Sequence, residues 1–407
     1  MIPACEPLVT QREVDLVMDC LRSGWVSSAG RYIEEFEKGW AAYCGMRHGV
    51  AVSNGTAALQ VAVQLLDLQP GDEVILPAFT IISCAQAITR CGGIPVLVDS
   101  DPLTWQMDVR QVEAKITPRT RAIMAVHIYG HPADMDPLID LAAQHRLTII
   151  EDAAEAHGAE YKGRKCGGLG DISVFSFYAN KLITTGEGGM VLTRSYELAD
   201  KARSQRNLCF QKSRRFLHDA IGDNLRLTNL QAALGVGQME RIEQIVERKR
   251  AIARAYSERL GSVAGIALPV EELWARNVYW VYGFVLNEST GINAAELAQR
   301  LSERGVETRP FFLGMHEQPV FRRMGLFDNE KYPVAEWLAR QGLYLPTGLG
   351  ITRAEIDHVS AAVQEALDAD CETNWDPTKN SSTLLAKEVD RKGSAELSPT
   401  SLNLRSR

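Results

Sequence analysis

The chain has 407 residues, 45% of them hydrophobic and 23% charged, with 44 Lys and Arg against 51 Asp and Glu and a formal net charge of −7. That length suits two domains around a large buried core. With no basic excess, general electrostatic binding of nucleic acid is excluded, though a local pocket for a phosphorylated small molecule is not. No apolar run approaches the roughly 18–20 residues of a membrane helix, so no membrane partner is expected. The first residues, Met1 to Glu6, lack the basic start and apolar stretch of a signal peptide, which makes the cytoplasm the expected location. The eight cysteines are scattered with no Cys-x-x-Cys pair, as expected of reduced thiols and not of a metal site.

In chain order, short apolar strands alternate with amphipathic helices from about residue 45 to 195. The expected strands are residues 48–52, 73–77, 94–99, 122–128, 148–152, 172–177 and 190–193. Several are Val, Ile and Leu runs with little alternation, as when helices cover both faces, so the expectation is an α/β fold with an open, mostly parallel sheet. A long helical region follows, capped by Thr228-Asn229 and running with few breaks to about Leu260, as a rod between domains. Strands at 279–286 and 306–312, with a helix at 294–303 between them and another from 353, suggest a smaller α+β domain. The expected division is a large domain 1–245, a small domain 246–371, and a mobile polar tail 372–407.

Chemistry concentrates between residues 151 and 190. Residues 151–158 read Glu-Asp-Ala-Ala-Glu-Ala-His-Gly, 175–181 Phe-Ser-Phe-Tyr-Ala-Asn-Lys, and 185–189 Thr-Gly-Glu-Gly-Gly. Asp152 ends an apolar strand, where open α/β sheets place ligand-binding groups. Lys181 closely follows another strand and, if desolvated, is a nucleophilic amine. Alone, Asp152 reads as a helix cap or surface ion pair and Lys181 as a solvated lysine. Together, with Ser176 between them and a Gly-rich turn after, they supply what pyridoxal phosphate needs: a Schiff-base lysine, an acid for the pyridine nitrogen and a hydroxyl for the phosphate. At 52–59 a strand ends, a small-residue turn follows and a helix begins, so that Gly55 and Thr56 meet a phosphate at the helix N-terminus or merely start a capped helix. Phe79, past another strand end, stacks on the cofactor ring or packs in the core. Asn229 caps its helix or donates to a phosphate.

These segments, with Ser23–Ser28, Gly71-Asp72-Glu73-Val74 and Thr228–Ala233, resemble the DegT/DnrJ/EryC1/StrS sugar aminotransferases over about residues 1–370. The resemblance implies fold type I of the pyridoxal phosphate enzymes, like aspartate aminotransferase, with a seven-stranded large domain. It implies that Lys181 holds the cofactor, Asp152 pairs with its ring nitrogen, and Gly55, Thr56 and Ser176 bind its phosphate. Phe79 would stack on the ring, and Glu155 would lie near its phenolic oxygen or the substrate. Asn229 would reach the phosphate of the neighbouring subunit, making the unit a homodimer. Through the segments at 99–107 and 127–136 the resemblance implies GDP-4-keto-6-deoxy-D-mannose as substrate, and the family's usual donor would be L-glutamate, giving GDP-perosamine. A UDP- or dTDP-linked keto sugar is the alternative, as is a non-catalytic nucleotide-sugar sensor; the latter should have lost Lys181 or Asp152. Sugar 3-dehydratases of the same fold carry His at the lysine position, which Lys181 argues against. Trp25, Trp105, Arg309 and His316 are the expected substrate contacts, with core packing the alternative for the two tryptophans and a surface salt bridge for Arg309. Two positions depart from the family pattern: Ala179 replaces Gly, and Gly314 replaces Pro, which should loosen the loop before His316.

Overall fold

The computed structural model describes residues 1–373 except 212 and 215. From residue 374 on, the expected polar tail lies outside the described residues. Seven strands form the large sheet: β1 (His48–Val52), β2 (Glu73–Pro77), β3 (Ile94–Val98), β4 (Thr120–Val126), β5 (Thr148–Asp152), β6 (Ile172–Ser176) and β7 (Gly189–Thr193). Their spatial order is β1-β7-β6-β5-β4-β2-β3. β7 runs antiparallel to both β1 and β6. The remaining pairs, β6-β5, β5-β4, β4-β2 and β2-β3, are parallel. Since β1 and β6 both oppose β7, they run the same way, and the carboxyl ends of β1, β5 and β6 share one edge of the sheet. Loops at that edge hold ligands in open α/β folds.

Helix α1 (Gln11–Ser23) and helix α2 (Arg31–Tyr43) pack on the helix Asn229–Met239. The packing is close enough that a Cβ at Gly235 would lie 2.8 Å from the Phe36 ring, and one at Gly237 2.8 Å from the Glu13 side chain. The expected rod is two helices, Asn229–Met239 and Ile242–Leu260. Arg241 leaves helical geometry between them, at φ −122° and ψ 20°. The turn is held where Gln238 and Arg241 both donate to the buried Glu13 carboxylate, at 2.8 and 2.9 Å.

A second apolar cluster gathers Ile252, Tyr256, Tyr282, Phe284, Leu343 and Val363. It lies against a four-stranded antiparallel sheet ordered Ile266–Ala267, Tyr282–Leu286, Gly342–Leu345, Arg309–Pro310. Two strands are shorter than expected. The one at 279–286 starts only at Tyr282, because Tyr279 adopts φ +49°, which breaks extended pairing. The one at 306–312 shrinks to Arg309–Pro310, where the proline lacks an N–H for the ladder. Cys5, Cys20, Cys44, Cys84, Cys91, Cys166 and Cys209 are free. No helix of the described residues is long and apolar enough to cross a membrane.

Candidate active site

A cavity of about 570 Å³ opens at the carboxyl edge of β1, β5 and β6. Its lining includes Gly55, Thr56, Asp152, Glu155, Ser176 and Lys181, six residues singled out from the sequence. The local sequence accounts for their convergence. β1 ends at Val52, and Asn54 caps the 10-residue helix α3 (Gly55–Gln64) by accepting the Ala57 amide at 2.8 Å. The first backbone amides of α3 have no partner within the helix, so the cavity receives a helix N-terminus. A Cβ at Gly55 would fall 2.6 Å from that of Ser176, so only glycine lets α3 start this close to the end of β6. The hydroxyls of Thr56 and Ser83 lie 2.8 Å apart, and both line the cavity with Ser176.

Asp152, the last residue of β5, is buried. One carboxylate oxygen accepts the Ala154 amide at 3.1 Å and the other the Cys84 thiol at 3.2 Å. Burial pushes its carboxyl above the ordinary aspartate range, and these two donors hold it back. Glu155 accepts the Tyr129 amide on one oxygen at 2.8 Å, and the other lies 3.6 Å from the Lys181 amine. Burial raises the Glu155 carboxyl to about 7, against the pull of Lys181. The Lys181 amine is itself pushed down by burial, opposed by Glu155 and Asp152. It also sits 3.6 Å from the centroid of the Trp280 ring. A buried amine with a lowered proton affinity, beside two buried carboxylates, is a nucleophile and a proton carrier in one group.

Two neighbours of these residues serve the fold. Glu151, on the opposite face of β5 from Asp152, accepts His127 Nε2 at 2.9 Å, the amides of Gly167, Leu169 and Gly170, and the Ser173 hydroxyl. His127, Glu151 and Cys166 come close enough to suggest a metal triad. Both Glu151 oxygens are already engaged, and His127 Nδ1 accepts the Ala133 amide at 2.9 Å, so the cluster is a latch between β5 and the loop 167–170. His157 is fully buried between Trp40, Phe175 and Phe177, with ring centroids 5.6, 5.2 and 5.4 Å away. Neither ring nitrogen makes a full hydrogen bond, and the Ser176 backbone offers only a weak one. Burial, and after it the nearby Lys181 charge, depress the imidazole to about 3.

The other expected site residues do not line the cavity of this chain. Phe79 is fully buried and outside the cavity lining, with the rings of Tyr129, Phe311 and Phe312 about its own at 6.0, 5.9 and 6.0 Å. It packs in the core of this chain. The Asn229 side chain is buried and fully used within its own chain. Its oxygen accepts the Tyr32 amide at 3.1 Å, and its nitrogen donates to the Trp25 carbonyl at 2.7 Å. The same nitrogen lies 3.2 Å from the Cys20 sulfur, so within this chain the side chain ties the loop after α1 to α2. Trp105 is buried edge-on against Phe311 at 5.3 Å, and His316 is buried beside Tyr332 and Glu336. Neither lines the cavity. Trp25 and Arg309 are exposed outside the lining, Arg309 paired with Glu307. At Gly314 the backbone, at φ −56° and ψ 144°, would accept proline, but a Cβ there would lie 2.7 Å from His316 Cε1. The glycine makes room for that ring. Sequence reasoning assigned no role to Trp280, Ser83, Tyr178, Phe312 or Tyr344, which complete the wall. Tyr178 lies within the 175–181 segment itself, whereas Trp280, Phe312 and Tyr344 are brought in from far along the chain.

Comparison with known proteins gives the family. The model of the DegT/DnrJ/EryC1/StrS aminotransferase family matches residues 7–364. The chain is 42% identical to GDP-perosamine synthase of Caulobacter vibrioides, covering 90% of this chain and 98% of the relative. It is 39% identical to GDP-perosamine synthase of Escherichia coli O157:H7, covering 89% and 98%. The crystal structure of the aminotransferase TlmJ from Streptoalloteichus hindustanus superposes with a TM-score of 0.85 at 31% identity, covering 91% of this chain and 99% of that one. The chain belongs to the DegT/DnrJ/EryC1/StrS aminotransferase family and is a pyridoxal phosphate-dependent aminotransferase.

Proposed function

We propose that the chain transaminates GDP-4-keto-6-deoxy-D-mannose, with L-glutamate as amino donor, giving GDP-perosamine and 2-oxoglutarate, and that it works as a cytoplasmic homodimer. One observation carries the chemical part: the Lys181 amine, 3.6 Å from Glu155, shares a cavity with the buried Asp152 and a cluster of hydroxyls at a helix N-terminus. The sugar part is supported by the relatives named GDP-perosamine synthase.

The residues fit the cofactor. A phosphate suits the start of α3 with Thr56, Ser83 and Ser176, in the space that a Cβ at Gly55 would close. When bound, pyridoxal phosphate supplies a carbonyl that condenses with an amine and a cationic ring that takes up the electron pair released at the substrate carbon. Lys181 would provide that amine and afterwards carry the proton on Nζ. Asp152, fixed by Ala154 and Cys84, would set its charge against the ring nitrogen. Glu155, with its carboxyl near 7, would share the Lys181 proton at neutral pH. Of the four expected substrate contacts, Trp25 and Arg309 are the two exposed enough to meet a ligand.

A half-reaction tests the reading. Glutamate should bleach the visible absorbance of the loaded protein. After removal of the excess, GDP-4-keto-6-deoxy-D-mannose should restore it and a UDP-4-keto sugar should not. Recovery with the UDP sugar alone would overturn the sugar assignment, and no bleaching would overturn glutamate as donor.

A further inference from the structure

Trp280 belongs to no motif, yet it touches Lys181 in two ways. The Lys181 amine lies 3.6 Å from the indole centroid, and the indole Nε1–H donates to the carbonyl of the adjacent Asn180 at 2.8 Å. The ring is thus bonded to the backbone that carries the lysine and faces the lysine's charge. The fold goes to some lengths to set it there. Tyr279, just before it, adopts φ +49°, and the Val278 amide donates to the Gly130 carbonyl at 3.1 Å. Gly130 has φ +98°, and a Cβ on it would lie 2.9 Å from the backbone nitrogen of Trp280. The neighbouring Tyr129 amide holds Glu155. One turn, Ile128–Gly130, therefore braces both groups that flank the amine, the carboxylate at 3.6 Å and the aromatic face at 3.6 Å.

We propose that Trp280 is a positioning residue for Lys181: its indole face and Glu155 clamp the protonated amine whenever the nitrogen carries no other bond, so that the lysine keeps its proton within the cavity. An aromatic face attracts an ammonium most strongly where water is excluded, as in this wall. The titratable groups facing the amine are Glu155 and Asp152 on the cavity side, Cys5 from the N-terminal segment with Lys249 behind it, and neutral His157. Only His157 among them carries an aromatic ring, and that ring is packed among Trp40, Phe175 and Phe177. The proposal rests on Lys181 being the lysine that serves the cofactor.

The test is the proton affinity of Lys181 in the full-length, cofactor-free chain. Competitive acetylation by acetic anhydride as a function of pH, read by peptide mass spectrometry, reports it directly. In Trp280→Leu the apparent pKa of Lys181 should fall by about one unit, making the amine about tenfold more reactive near neutrality. Trp280→Phe keeps an aromatic face and should stay within about threefold of the native chain. Protein grown with trifluorinated tryptophan, in which the ring shape is kept and its negative face is drained, should move toward the Leu variant; this covers the case in which Trp280→Leu does not fold. Unchanged reactivity in the Leu and fluorinated proteins would overturn the proposal. So would lower reactivity, which would make the ring only a shield against water. Borohydride reduction of the loaded native protein with peptide mapping is the separate control. Label on a lysine other than Lys181 would overturn the reading of the site, whatever the tryptophan series shows.

Discussion

One oxygen of Glu155 lies 3.6 Å from the Lys181 amine while the other accepts the Tyr129 amide at 2.8 Å, so the carboxylate is anchored on one side and shares a proton on the other. Burial lifts this carboxyl from the usual 4.5 to about 7. Between those two values the folded chain holds a proton that the unfolded chain has released, so folding loses stability as pH rises through that window. Glu155→Gln removes the linkage. Melting temperatures of the cofactor-free chain should decline less across the window in the variant, and equal slopes in both proteins would refute the assignment.

Lys181→Ala should abolish the visible absorbance of the loaded protein and lower turnover by more than about 10³-fold, since nucleophile and proton carrier disappear together. Asp152→Asn keeps a side-chain oxygen for Ala154 or Cys84 and loses the charge. It should retain the fold, as read by circular dichroism, and lose about 10²–10³-fold in turnover. A variant of either kind with native turnover would remove that residue from the mechanism.

His157 makes a prediction about acid. Its imidazole is depressed to about 3 from 6.5 by burial among Trp40, Phe175 and Phe177. The stability gained by keeping it neutral is complete above about 6.5 and is lost as pH falls toward 3, at up to about 1.4 kcal/mol per pH unit. His131, buried and depressed to about 4, adds to the same loss. His157→Phe should therefore shift the acid unfolding midpoint to lower pH without changing turnover at neutral pH. A midpoint that stays in place would mean that His157 is not protonated on unfolding.

Gly55→Ala tests the phosphate end of the cavity. The added Cβ would meet Ser176 at 2.6 Å, so α3 must shift. Overpacking of this kind costs about 1–3 kcal/mol. Cofactor affinity, measured by absorbance titration, should weaken by roughly one order of magnitude or more, while Ser176→Ala, which only removes a hydroxyl, should weaken it less. The reverse ranking would move the phosphate away from the start of α3.

What the sequence disclosed was local. The strands of the large sheet are built around short apolar runs, and Asp152, Ser176 and Gly55 stand at or just past strand ends, where the fold delivers side chains to one edge. Lys181 was legible for the same reason. Contacts set by distant segments were not. Trp280 lies 100 residues from Asn180 and is aimed by the turn at Ile128–Gly130. Phe79 also follows a strand end, but the surrounding aromatic rings draw it inward. The partners of Asn229 within this chain, the Trp25 carbonyl and the Tyr32 amide, lie about 200 residues away in sequence. The break at Arg241 is likewise set by Glu13 at the other end of the domain.

Alternation along β5 has a consequence for genetics. Glu151 and Asp152 are neighbours in the chain whose side chains leave opposite faces of the strand, one into a latch of backbone amides and one into the cavity. Glu151→Gln would turn an amide group toward those N–H donors, so its damage should appear as a shortage of folded protein. Damage at Asp152 should appear as slow molecules in normal amount. A mutational survey scored on product alone would find both codons intolerant and draw the active site one residue too wide; scoring abundance alongside product separates them.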